Sequence, residues 1–169
     1  MRNALIAAAL LLAPAAPAAA HEVKAGAVAV VHPVMRASIG RTPNAAAYFT
    51  LRNSGPTADR LLSASCACAA KVEVHTMSMA NGTMIMRPAG AVTVPAKGQV
   101  AFAPGGLHLM LTGLKGRAEA GTTLPLVLRF ERAGSVTVPV FVTANVEAEI
   151  AKHAGDHGPA PAAAAHQHH

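Results

Sequence analysis

The sequence predicts an all-β sandwich. Three observations lead there: short runs in which apolar and polar residues alternate, turn signals of Gly, Pro and Asn spaced roughly eight to twelve residues apart, and the lack of any long segment with a 3.6-residue apolar period. A strand needs alternation because successive side chains point to opposite faces of the sheet, one toward the core and one toward water.

Residues 26–31 form the first run, closed by His32-Pro33, where His32 reads as a structural turn residue. Residues 45–53 (AAAYFTLRN) end in the turn signal Asn53-Ser54-Gly55-Pro56. After a run at 60–64, residues 71–75 set Val72 and Val74 against Lys71, Glu73 and His75. Asn81-Gly82 is the strongest two-residue hairpin signal in the chain, since both positions of a type I′ turn need positive φ. Met77 and Met79 precede it, and Met84 and Met86 follow. Residues 91–94, 99–103, 108–114, 124–131 and 135–142 complete the set. Pro139 has no N–H to give a ladder, so an edge strand or a bulge is expected there. No internal repeat or second domain is visible.

Both ends fall outside this pattern. Arg2, the apolar run 4–13, Pro14, Pro17 and the small residues Ala18, Ala19 and Ala20 have the layout of an export signal. Removal of residues 1–20 is expected to leave His21 as the N-terminus. The apolar run is too short and too broken by proline to span a bilayer, so no transmembrane anchor is expected in the mature chain. At the other end, residues 151–169, including HAGDHGPAPAAAAHQHH from His153 onward, are expected to be a disordered His-rich tail. Residues 21–150 remain, about 130 residues, a usual size for one domain.

The formal charge is +6, or +5 once Arg2 is removed, and the basic residues are spread singly. With four Phe, one Tyr and no Trp there is no platform on which bases would stack, so nucleic acid is not an expected partner. Cys66 and Cys68 form a Cys-x-Cys pair. An oxidising compartment permits a disulfide, and a thiolate pair also suits copper(I). Disulfide, copper ligands and free thiols all stay open.

Between residues 75 and 110 the chain concentrates soft donors: Met77, Met79, Met84, Met86 and Met110, five of its seven methionines, with His75 and His108. Thioether and imidazole suit monovalent copper far better than magnesium, calcium or manganese. The plainer alternative is methionine as core filler with surface histidines. Alternation weighs against it. His108 and Met110 share a face opposite Leu107, Leu109 and Leu111; His75 lies with Lys71 and Glu73; Met84 and Met86 oppose Ile85. The donors are therefore expected on faces away from the core. Thioethers also carry no proton to lose, so they stay available in acid.

The spacing is His75, ten residues, Met86, twenty-one residues, His108, one residue, Met110. In that register, and in the surrounding VEVHTMSMANGTMIMRP and VPAKGQVAFAPGGLHLMLTGLK, the chain resembles the periplasmic copper chaperones called PCuAC. The segment KAGAVAVVHPVMRAS also resembles the family's first strand and its His-Pro-x-x-Arg turn, with Val34 where an aromatic is usual. The resemblance covers about residues 21–147. It implies a cupredoxin-like, Greek-key antiparallel sandwich or barrel, a periplasmic monomer, and one copper(I) held by His75, Met86, His108 and Met110. It implies transfer, not catalysis, with the CuA centre of cytochrome c oxidase as recipient and a Sco-type chaperone as partner. Met84 is the second choice to Met86, and Met77 and Met79 are auxiliary ligands or exposed lip residues. A further copper(II) site is expected among His21, His153, His157, His166, His168 and His169. Two other readings are copper sequestration for tolerance and an adhesive sandwich with no metal role.

Overall fold

The computed structural model describes residues 22–40 and 42–154. Eleven strands follow in order: β1 (Glu22–Ala25), β2 (Val28–Arg36), β3 (Asn44–Asn53), β4 (Asp59–Ser65), β5 (Ala69–Ala80), β6 (Thr83–Pro88), β7 (Val92–Val94), β8 (Gln99–Phe102), β9 (His108–Leu114), β10 (Thr123–Phe130) and β11 (Ser135–Thr143). One helix, α1 (Val146–Ala154), closes the described part. Hydrogen-bonded neighbours run β6-β5-β9-β3-β2-β11-β10-β4-β7, with β1 on β2 and β8 on β3. The expected all-β sandwich is present, and the path does not close into a barrel.

Alternation sorts the two faces. In β3, Ala45, Ala47, Phe49 and Leu51 are buried in the main core. Register carries the same face across the neighbours: Ala45 lies opposite Leu111, Ala47 opposite Leu109 and Met35. Leu126, Leu128 and Phe130 of β10 and Val138, Val140 and Val142 of β11 complete it. Phe49 stacks on Phe102 with ring centroids 4.5 Å apart. Met35, fully buried, is core filler; the other described methionines are not in this cluster.

Turn chemistry behaves as the sequence requires. Asn81 and Gly82 both have positive φ, 50° and 75°, the pairing of a type I′ hairpin. At the Asn53 turn, the buried Asn53 side chain accepts from the Gly55 N–H at 2.9 Å and donates to the Thr57 carbonyl at 2.8 Å. Gly55 is needed there because a Cβ would stand 2.9 Å from that of Ala27.

Three expectations need correction. β11 is not an edge strand, for it lies between β10 and β2. Its pairing with β2 starts only at Phe141, so Pro139 faces β10 alone, directly opposite Pro125. Two prolines can oppose each other only at a non-hydrogen-bonded rung, where neither N–H is needed. The expected His32-Pro33 turn does not end the first strand either, for β2 runs through both residues to Arg36 with a register shift between Val31 and Val34. Finally, the chain after β11 turns helical. α1 runs through residues 151–154, the start of the expected disordered tail; residues 155–169 and 1–21 lie outside the described residues. Among the described residues no helix is long and apolar enough to cross a membrane.

Candidate metal centre

Directly opposed residues in an antiparallel pair share a face, and that rule assembles the site. β5 pairs β9 with His75 opposite His108 and Glu73 opposite Met110. β5 pairs β6 with His75 opposite Pro88, Met77 opposite Met86 and Met79 opposite Met84. All seven soft donors of residues 75–110 therefore lie on one face of β6-β5-β9. The opposite face of the same strands carries Val74, Leu109 and Leu111 into the core. Met86 and Met110 each sit one diagonal step from His75, on opposite sides of it, within reach of a long side chain.

The two imidazoles meet edge-on, ring centroids 5.9 Å apart with planes at 64°. His108 is 2% exposed, more enclosed than a face opposite the leucines would suggest. The cause is the other half of that face. Tyr48 of β3 stands 6.4 Å from the His108 ring and belongs to a second small cluster with Val34 and Val146, packed on by Ala46 and Ile150. α1 thus covers the β2–β3 side of the outer face and leaves the β5–β6 side open. Arg36 ties the helix down through Glu147. That carboxylate, with Tyr48, raises the guanidinium's pKa.

His108 Nδ1 lies 3.1 Å from the Gly106 carbonyl. In the tautomer that satisfies this contact Nδ1 donates and Nε2 keeps its lone pair, the usual way a ligating imidazole is oriented by its other nitrogen. His75 has no such partner. Both of its ring nitrogens are buried without a hydrogen bond, and the nearest carboxylate oxygen, Glu73 Oε2, is 3.7 Å from Nε2. Lys71, 2.9 Å from Glu73, holds that carboxyl below the usual carboxylate range, and His75 adds to the effect. Glu73 therefore keeps a negative charge beside the donors.

Met110 is half-buried and borders an open groove of about 230 Å³ with Arg36, Ile39, Thr42, Ala45 and Ala46. Among the described residues no three His, Cys, Asp and Glu side chains are grouped to hold a metal, so any centre on this face depends on its thioethers.

The remaining candidates are elsewhere. His153 lies on α1, stacked on His32 at 4.1 Å between ring centroids, and not with His75. His21, His157, His166, His168 and His169 lie outside the described residues. Cys66 and Cys68 are joined in a disulfide at the β4–β5 turn. Sequence reasoning missed the supporting roles of Tyr48 and the Gly106 carbonyl. Only the β3–β9 register and the 103–107 loop bring them to His108. Glu73 was visible through alternation with His75.

The fold is similar to that of solved PCuAC domains. The chain superposes on the copper-bound PCuAC domain from PmoF2 with a TM-score of 0.65 at 29% identity, covering 74% of this chain and 99% of that one. It matches the solution structure of CuI-DR1885 from Deinococcus radiodurans with a TM-score of 0.53 at 26% identity, over 70% of this chain and 81% of that one. It belongs to the LpqE-like family, whose model, described as putative lipoprotein LpqE-like, matches residues 28–142. It is also 34% identical over 98 residues to the putative lipoprotein Lxx21020 of Leifsonia xyli subsp. xyli (strain CTCB07), an alignment spanning 56% of this chain and 59% of that protein. The chain thus spans less than two thirds of that relative's length.

Proposed function

We propose that this protein is an extracytoplasmic copper(I) chaperone that holds one ion through His75, Met86, His108 and Met110 and passes it to a copper enzyme. The observation that carries the reading is the His75–His108 rung. A buried, unsatisfied polar group costs about 1–3 kcal/mol, and His75 carries two such nitrogens in the middle of a face lined by soft donors. A metal–nitrogen distance like that of zinc, about 2.0–2.1 Å, would place a ring centre about 3.2 Å from the ion, so two imidazoles on one ion would stand about 5–6.5 Å apart. The observed 5.9 Å falls within that span.

Copper(I) accepts such a donor set because soft thioethers select it over harder ions. Neutral thioethers leave the ion's positive charge uncompensated, and Glu73, opposite Met110 on the same face, is the carboxylate placed to offset part of it. Transfer follows from position. β6 ends the strand path, so a recipient's ligands can reach the ion from the open side and replace these donors one at a time. The similarity to the copper-bound PCuAC domain from PmoF2 and to CuI-DR1885 supports copper as the cargo. The lipoprotein descriptions of the relatives support a place outside the cytoplasm; a periplasmic, signal-directed monomer is our reading. The recipient we propose is the CuA subunit of cytochrome c oxidase, alone or through a Sco-type chaperone, and the role is transfer rather than catalysis.

Replacing all four residues, H75A/M86L/H108A/M110L, should abolish tight copper(I) binding in competition with a chromogenic chelator. An unchanged affinity would remove the site and leave the adhesive-sandwich reading standing. The sequestration reading separates by phenotype: a deletion strain that assembles oxidase normally under copper limitation, and fails only under copper excess, would contradict delivery.

A further inference from the structure

β9 accompanies β5 only as far as the His75–His108 rung. Beyond it, β5 and β6 continue as a two-stranded ribbon around Asn81-Gly82, held to the body by the Met77 N–H donating to the Gly106 carbonyl at 3.2 Å. One face of this ribbon carries Thr76, Ser78, Ile85 and Arg87. The other carries only methionine across two successive rungs, Met77 opposite Met86 and Met79 opposite Met84. Exposure rises toward the tip, from 43% at Met86 to 59% at Met84 and 66% at Met79.

Apolar side chains left in water forgo the roughly 1.5–3 kcal/mol that full burial of each would return. Of the five large exposed hydrophobics among the described residues, three are these methionines. A sandwich needing only a hairpin would put polar residues on an exposed face, and one needing only an apolar lip could use any aliphatic. Sulfur at all four positions asks for a reason specific to sulfur.

We propose that Met79 and Met84, with Met77, form a second, all-thioether copper(I) station at the ribbon tip, through which the ion enters and leaves the inner centre. The proposal rests on the inner site argued above. Directly opposed Cβ atoms in such a pair are about 4.5–5.5 Å apart, so each rung brings two flexible thioethers together. Met86 faces both ways: it is diagonal to His75 and stacked beside Met84. Passage is ligand exchange. A copper–sulfur bond to Met84 or Met79 forms as a copper–nitrogen or copper–sulfur bond of the inner set breaks. Copper stays monovalent, and no thioether gains or loses a proton.

Copper(I) titration of the full chain against a chromogenic chelator, under anaerobic reducing conditions, tests this. Wild type should take up a tight equivalent and a weaker one. M79L/M84L conserves volume at exposed positions, so it should keep the tight equivalent, lose the weaker one and release the inner ion to the chelator more slowly. H75A/H108A should lose the tight equivalent and keep the weaker one. If M79L/M84L matches wild type in both stoichiometry and release rate, the tip station is overturned while the inner site stands. If H75A/H108A still binds tightly, the inner site fails, and M79L/M84L continues to report on the tip by itself.

Discussion

At His75 burial and chemistry pull in opposite directions. The side chain is only 16% exposed, yet both ring nitrogens lack a hydrogen bond, while its opposite number His108 is tethered to Gly106. We expect M86L to weaken copper(I) binding by about tenfold or more, about 1.4 kcal/mol per decade. M84L should leave the tight affinity unchanged in the same competition assay. Equal losses in the two variants would assign the ligand wrongly between neighbouring sulfurs on one strand face. Away from the site, Asp59 is the residue on which local stability turns. Burial opposes its charge, but the Arg132, Ala133 and Arg60 N–H groups outweigh that and hold its pKa below the usual value, at 2.9, 2.9 and 2.7 Å. A lowered folded-state pKa means the stabilisation is present above the unfolded value and lost as pH falls through the folded one. D59N should therefore cost about 2–3 kcal/mol near neutrality, with the gap to wild type closing in acid. Urea unfolding at two pH values checks it; a gap independent of pH would refute the charge-based account.

Among the elements, most strands were legible, while β1, the second half of β2 and α1 were not. Strand runs announced themselves because one face is buried and the other wet, so the period of two is written into residues such as Lys71 to His75. α1 has too little apolar surface to show a period of 3.6: Val146 is buried and Ile150 partly so, one turn apart, followed by the alanines and histidines of a low-complexity segment. Its start is marked by Asn145, whose side-chain oxygen accepts from the Ala148 N–H at 2.9 Å, the bond of an N-cap, and by Glu147 and Glu149 in the first turn. N145A should destabilise the helix by about 1 kcal/mol, read as a lower thermal midpoint together with faster amide exchange over residues 146–154. Unchanged exchange there would mean that packing on Val34 and Tyr48 alone holds the helix. The Asn81-Gly82 hairpin was legible in full, because its turn needs positive φ and the residues that tolerate it are few.

Across the whole molecule, the division between domain and tail now falls later than composition suggested. α1 carries His153 on the body against His32, so the expected tail histidines begin at His157. Truncation after residue 154 should abolish any extra copper(II) uptake by His157, His166, His168 and His169 and leave copper(I) affinity intact. A parallel fall in copper(I) affinity would show that the tail reaches the inner site. By itself the sequence determined most of the strands, the principal turn and the donor types with their spacing, because these follow from side-chain period, backbone φ and ligand softness, all local properties. The tertiary structure alone decided which donors meet. Strand register, a long-range pairing, put His75 against His108 and Met86 a diagonal away, stopped β9 short of the methionine ribbon, and brought Tyr48 and α1 over one half of the face. Residues far apart in the chain become neighbours only through hydrogen-bonded ladders and a shared core, and no local pattern encodes that.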